Sequence, residues 1–244
     1  MAHREKVHAL VLSRRDSGEA DRIVTLLTRQ QGLVRVLAKG VRKIPSRRGG
    51  HIEPLTQVVA LLTGADRYRF LAGIEPVDGY VQLHQDPQAL RHAEVLSRLI
   101  VGLLEPEHPY PELFDAMTHA CTQLSQLPAA KQQVMEVTIG LYALQCAGLA
   151  PQLKHCQHCA ANAPASAVIM DSQAGGWRCL TCHSSLKGTA ESLSPRLLKA
   201  LRWISKHPER ALQLKITDSE GSQLLQTLRH YFAGVIEAPL TVGS

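Results

Sequence analysis

Leu33-Val34-Arg35-Val36-Leu37-Ala38-Lys39-Gly40-Val41-Arg42-Lys43-Ile44-Pro45-Ser46-Arg47-Arg48-Gly49-Gly50 is a short β-rich run that opens directly into the most basic stretch of the chain. Within the run Arg35, Leu37 and Lys39 share parity, so the two cations should project from one face of a strand. Residues 39–50 then hold five cations and three glycines in twelve positions. Cations at this density neutralise phosphates and release counterions, and glycines let a backbone approach a sugar-phosphate chain closely. A charged run between strands is by default a solvated loop, so the fold around it decides the reading.

Outward from this stretch the first eighty residues read as strands. Val7, Ala9 and Val11 alternate with their neighbours, and Arg22 to Thr28, Gln57 to Thr63 and Arg67 to Ala72 are further β-rich runs separated by glycines. Five short strands in so little chain fit a small antiparallel barrel. The five-stranded OB-fold is the version that grips single nucleic-acid strands, and an SH3-like barrel would look similar. Arg14 and Arg15 read as caps of the first strand and join the candidate binding set of Arg35, Lys39, Arg42, Lys43, Arg47 and Arg48. Tyr68 and Phe70 share one parity and Arg67 and Arg69 the other, so one of these sets is expected in the core.

From Asp86 the period changes. Asp86 can cap a helix with Pro87 at its first position, and Leu96, Leu99, Ile100, Leu103 and Leu104 recur at helical spacing. A second helix starts near Pro111, and a third follows Pro128 and stops at Gly148. Ser194-Pro195 opens another through Leu197, Leu198, Leu201 and Ile204, and a last one carries Leu225, Leu228, Phe232 and Val235.

Between these helices lie Cys156-Gln157-His158-Cys159 and Cys179-Leu180-Thr181-Cys182, two C-x2-C knuckles nineteen residues apart. The spacing is a zinc signature, and four thiolates complete a tetrahedral shell with no open position, so the metal should be structural. Disulfides would need an oxidising compartment, and the first residues carry no apolar secretory segment, which points to a reduced, cytoplasmic setting. A redox-active pair is usually a single C-x-x-C near a βαβ pattern. Lys154, His155, Arg178 and His183 flank the ligands and could offset their charge, or a histidine could replace a thiolate. Cys121 and Cys146 sit at apolar helical positions and read as core. The expected class is therefore α+β: an OB-fold over residues 1–80, a helical domain over 81–150 and 187–244, and a four-cysteine zinc-binding module over 151–186.

The 244 residues carry a net charge of +6, with +6 in residues 1–80, −4 in 81–150 and +4 in 151–244. Basic ends around an acidic middle suggest a polyanionic partner. No uncharged run is long enough to span a membrane. Phosphate-binding, nucleophile-elbow and H-E-x-x-H motifs are missing. His92-Ala93-Glu94 with Cys156-x-x-Cys159 approaches the zinc-deaminase signature. It fails because His155 stands where that signature has proline, because His92 and Glu94 read as helix-surface positions, and because the second knuckle would have no role. No catalytic residue is assigned. A zinc-ribbon interaction module and a nucleic-acid enzyme remain the competing classes.

The chain resembles the bacterial RecO recombination-mediator family almost end to end. The resemblance rests on Ala9-Leu10-Val11-Leu12, Gly18-Glu19-Ala20-Asp21-Arg22-Ile23-Val24, Gly32-Leu33, Ala38-Lys39-Gly40-Val41-Arg42, Glu53-Pro54-Leu55, Pro111-Glu112-Leu113-Phe114, Gly148-Leu149-Ala150-Pro151 and Gly175-Gly176-Trp177-Arg178-Cys179. It implies an OB-fold, a helical domain and a zinc-binding module, with Lys39, Arg42 and Lys43 where the family's barrel contacts DNA. It also implies a non-enzymatic protein of the cytoplasm and nucleoid that binds single- and double-stranded DNA and anneals complementary strands. Its implied partners are RecR, in some systems RecF, and the acidic C-terminal tail of the single-stranded DNA-binding protein SSB, on whose coated strands RecA is loaded.

Overall fold

The computed structural model describes residues 4–41, 52–65, 68–162, 166–183 and 192–237. Arg42, Lys43, Arg47 and Arg48 lie outside the described residues, as does Arg67. The chain divides into two compact units, Met1–Gln126 and Leu127–Ser244.

In the first unit β1 (Arg4–Ser17), β2 (Asp21–Thr28), β3 (Gly32–Ala38), β4 (Gln57–Ala65) and β5 (Tyr68–Asp78) form a closed, OB-like barrel in the order β1-β2-β3-β5-β4. Val7, Ala9, Val11, Val24, Leu26, Val34, Val36, Ala38, Val58, Ala60, Leu62 and Leu71 fill it. Most are β-branched or small residues at alternate positions, which is what a narrow interior admits. The seam between β3 and β5 is parallel and rests on the pair Leu37 and Phe70. Leu10 and Leu12 have the opposite parity to the β1 core residues and are also buried. α2 (Pro87–Leu103) packs against β1, which accounts for an apolar run where one-sided burial would alternate.

Gly32 has φ of 67° and lies under the crossing between α2 and α3 (Pro111–Gln123); an added Cβ would fall 1.7 Å from the His108 carbonyl oxygen. Glu107 N–H donates to Leu33 O at 3.0 Å, tying that crossing to β3. The Asp86 carboxylate accepts from Gln88 and Ala89 N–H at 2.9 and 3.1 Å, so it caps α2 as its position predicts. A short helix, α1 (Val81–Gln85), precedes it without a sequence signal; its N-cap Tyr80 is left-handed, with φ of 44°. His92 is a correction. It is 6% exposed, because the buried stripe of α2 is broad enough to include it beside Ala89, Ala93 and Leu96.

The second unit holds α4 (Ala129–Cys146), a sheet of β6 (Val168–Asp171), β7 (Gly176–Cys179) and β8 (Ser192–Leu193), and three helices, α5 (Leu180–His183), α6 (Pro195–Lys206) and α7 (Asp218–Glu237). Gly148, at φ 71°, ends α4, with Leu149 N–H reaching Leu144 O at 2.8 Å and Gly148 N–H reaching Gln145 O at 3.0 Å. Gly140 lets α7 come close: an added Cβ would stand 2.7 Å from the Phe232 ring. Across the same contact Arg229 makes a two-pronged ion pair with Glu136, at 2.8 and 2.7 Å. The Glu136 side chain is only 1% exposed. Among the described residues no helix is long and apolar enough to cross a membrane.

Candidate nucleic-acid interface and metal centre

On β3 the core takes Val34, Val36 and Ala38, which turns Arg35, Leu37 and Lys39 to the outer face. Arg35 and Lys39 are exposed there. Leu37 pairs with Ile23 on β2, and Ile23 with Arg15 on β1. One outer row thus runs Arg15, Ile23, Leu37, Phe70 across four strands, with Arg35 and Lys39 on either side of Leu37. Gly40 at φ 67° turns the chain out of β3, and its N–H donates to Asp21 Oδ1 at 2.8 Å.

Two readings of this region are corrected. Arg14 and Arg15 do not cap β1, which continues to Ser17. A register shift between Val11 and Ser13 reverses the parity set by the first half of the strand. Arg15 is exposed, whereas Arg14 is half-buried and ion-paired with Glu53. The second correction concerns β5. Neither Arg69 nor Phe70 belongs to the barrel core, to which β5 contributes Leu71; the side chains of Arg67 and Tyr68 lie outside those described. A shift between Leu61 and Leu62 leaves Ala72 unopposed and resets the alternation beyond Leu71, so Arg69 keeps the parity of Leu71 and Phe70 has the opposite one. Arg69 reaches Gln31 and Glu107, the latter at 3.3 Å. Phe70 is half-buried on the outer face, with Lys39 Nζ 4.7 Å from its ring centroid.

The four knuckle cysteines converge, with all four sulfurs within 4.8 Å of one another. Cys159 and Cys179 Sγ are 3.8 Å apart, the edge of a tetrahedron whose metal–sulfur bonds are ~2.3 Å. The set therefore fits one tetrahedral ion. His158 and Cys179 N–H point at Cys156 Sγ from 3.5 and 3.4 Å, as a thiolate requires. Burial alone would raise the Cys156 thiol, but backbone N–H groups of Cys159, Cys179 and His158 outweigh it and draw it down to about 6. Burial and the Cys156 and Cys159 sulfurs push Cys179 up to about 12. Four adjacent thiols cannot all carry charge without a cation between them.

The ring of Trp177, fully buried, sits behind the knuckles, and its Nε1–H donates to Leu153 O at 2.9 Å. Arg202 on α6, which the sequence reading missed, donates to the carbonyls of Leu153, Lys154 and Asn162 at 2.6, 2.9 and 3.1 Å. It fastens the first knuckle to the helix. Arg178, beside the second knuckle, is ion-paired with Asp171 at 3.0 Å. Of the two cysteines expected in the core, Cys121 is buried, while Cys146, the last residue of α4, is only half-buried.

Residues 1–80 match the family description "Recombination protein O N terminal", and residues 84–242 match "Recombination protein O C terminal". The chain belongs to the RecO family. Among relatives named "DNA repair protein RecO", that of Roseiflexus sp. (strain RS-1) is 28% identical over 95% of this chain and 81% of its own length. That of Anaeromyxobacter dehalogenans (strain 2CP-C) is 32% identical over 82% of this chain and 78% of its own. The RecO of Synechococcus sp. (strain JA-2-3B'a(2-13)) is 32% identical over 80% and 68%. RecO membership assigns the chain to DNA repair and recombination.

Proposed function

We propose that this protein is a non-catalytic recombination mediator that binds single- and double-stranded DNA and anneals complementary strands. With RecR, and RecF in systems that use it, it loads RecA onto SSB-coated strands. The observation that carries the reading is the outer barrel face, where Arg15, Arg35 and Lys39 are exposed together and the chain continues into Arg42, Lys43, Arg47 and Arg48. Annealing brings two like-charged strands together. A cationic surface does this when it grips phosphates and leaves base edges free to pair. Little sequence preference is expected. The four cysteines hold one structural zinc ion, which keeps residues 151–186 folded as a module within the helical domain. An acidic SSB tail calls for a cation beside an apolar groove, and the helical domain is the place proposed for it.

The test is annealing of complementary oligonucleotides coated with SSB. Annealing without nucleotide hydrolysis supports the mediator reading. Altered covalent structure of the DNA would instead indicate a nucleic-acid enzyme, and no shift of bare DNA would indicate a zinc-ribbon adaptor.

A further inference from the structure

The geometry points to Phe70 as a stacking platform for an unpaired nucleobase, with Lys39 covering the ring until a phosphate draws it away. This inference rests on the barrel being the DNA interface and adds a base contact to its phosphate contacts. Three phenylalanines occur in the chain. Phe114 and Phe232 are 3% and 5% exposed, but Phe70 is half-buried on the outer side of the barrel. It continues a strip with Leu37 and Ile23, which are likewise half-buried and outside the barrel core. Arg15, Arg35 and Lys39 border the strip. The nearby Asp21 carboxylate already accepts from Gly40 N–H, at 2.8 Å.

An apolar strip edged by cations matches single-stranded DNA, whose bases offer flat apolar faces beside a line of phosphates. Lys39 Nζ lies 4.7 Å from the Phe70 ring centroid. An exposed cation–π contact is weak, and a charge-assisted contact to phosphate can replace it. The ammonium then neutralises the backbone while the base takes the vacated ring face. Duplex DNA keeps its bases stacked inside and has no free face to offer, so Phe70 should discriminate single strands from duplex, whereas the cations should not.

Binding of the full chain to a single-stranded oligonucleotide, a duplex and a single strand with abasic sites tests this. Phe70→Ala should weaken binding to the single strand about tenfold and to the duplex by less than about twofold, a loss in the range of one base–aromatic stack. On the abasic strand the variant and the parent should bind alike. Phe70→Leu keeps the apolar packing and removes only the π-face, so it should behave as Phe70→Ala does. With Phe70→Trp, emission above the parent's own tryptophan background should be quenched by the single strand and not by the duplex. Equal losses on all three DNAs, single-strand binding retained by Phe70→Leu, or an unquenched Phe70→Trp would each overturn the inference while leaving the DNA interface standing. If the parent protein binds no DNA at all, the interface itself falls and this inference with it.

Discussion

The barrel and the cysteine module are both announced by short-range sequence patterns, yet they are opposite in construction. The barrel closes on itself around a dozen apolar side chains supplied by all five strands. Among its described residues the module has two sheet strands of four residues each, its largest buried side chain is Trp177, and its knuckles meet at four sulfurs that repel when ionised. A core assembled from burial is insensitive to solution conditions near neutrality. One assembled around thiolates depends on metal and on pH, because ligation requires the sulfurs to be deprotonated. Loss of metal should therefore divide the molecule along this line.

The largest expected effect is that of removing the proposed zinc ion. Structural zinc contributes apparent free energies of ~10–16 kcal/mol in small peptides, which exceeds what so small a core can replace. Chelation, or Cys156→Ser with Cys179→Ser, should expose the amides of residues 151–182 to hydrogen exchange while the barrel amides stay protected. Both tryptophans, Trp177 and Trp203, lie outside the barrel, so their emission should change with metal loss. A metal-free protein with native exchange in both regions would end the comparison.

Leu26→Ala makes the reciprocal test. It removes a fully buried barrel side chain and should cost about 3 kcal/mol, lowering the barrel's denaturation midpoint without changing the measured metal content. Next comes Arg229→Ala, which removes the two-pronged ion pair from the buried Glu136 carboxylate. Breaking a fully buried pair costs ~3–5 kcal/mol. Arg229 is 42% exposed, so water moderates the loss and about 2 kcal/mol is expected in chemical denaturation. In binding, replacing Arg35 and Lys39 with Ala should flatten the salt dependence of DNA affinity by about one unit of slope per lost phosphate contact, equally for all sequences. An unchanged slope would remove these residues from the interface.

The smallest effect concerns Arg29 and Asp115. The hydrogen bond from Arg29 holds the Asp115 carboxyl below the usual carboxylate range, with only slight burial opposing it. A depressed folded-state value means that the contribution is present above the ordinary carboxylate range and is lost as pH falls through the depressed one. Asp115→Asn should lower the melting temperature only marginally at neutral pH, and the difference should vanish in acid. Both partners are exposed, so a shift of several degrees would contradict the solvent screening expected of a surface pair.

Much of the architecture was legible because its signals are local. Asp86, Pro111, Pro128 and Ser194 mark helix starts through caps and missing N–H groups, and Gly148 marks a stop through its left-handed backbone. Thr217 and Glu220 carry the same kind of signal and were passed over. Glu220 N–H bonds Thr217 Oγ1 at 3.3 Å and Thr217 N–H bonds Glu220 Oε2 at 3.0 Å, a reciprocal cap for α7. The outer barrel face was only half legible. Parity on β3 was enough for Arg35 and Lys39, but the register shift within β1 decided which of Arg14 and Arg15 faces outward, and burial in the closed barrel decided that β5 gives Leu71 to the core while Phe70 lies outside it.

By itself the amino-acid sequence determined the barrel strands and the longer helices, the paired cysteine knuckles and the concentration of charge after β3, because alternation, capping and C-x2-C spacing act within a few residues. The tertiary structure decided which arginine is free and which is tied to Glu53, that Arg202 braces the first knuckle, and that Lys39 rests on Phe70. Arg14 and Glu53 stand 39 residues apart, and Arg202 and Lys154 stand 48 apart. Lys39 and Phe70 are likewise 31 residues apart, and only barrel closure and helix packing bring such partners together.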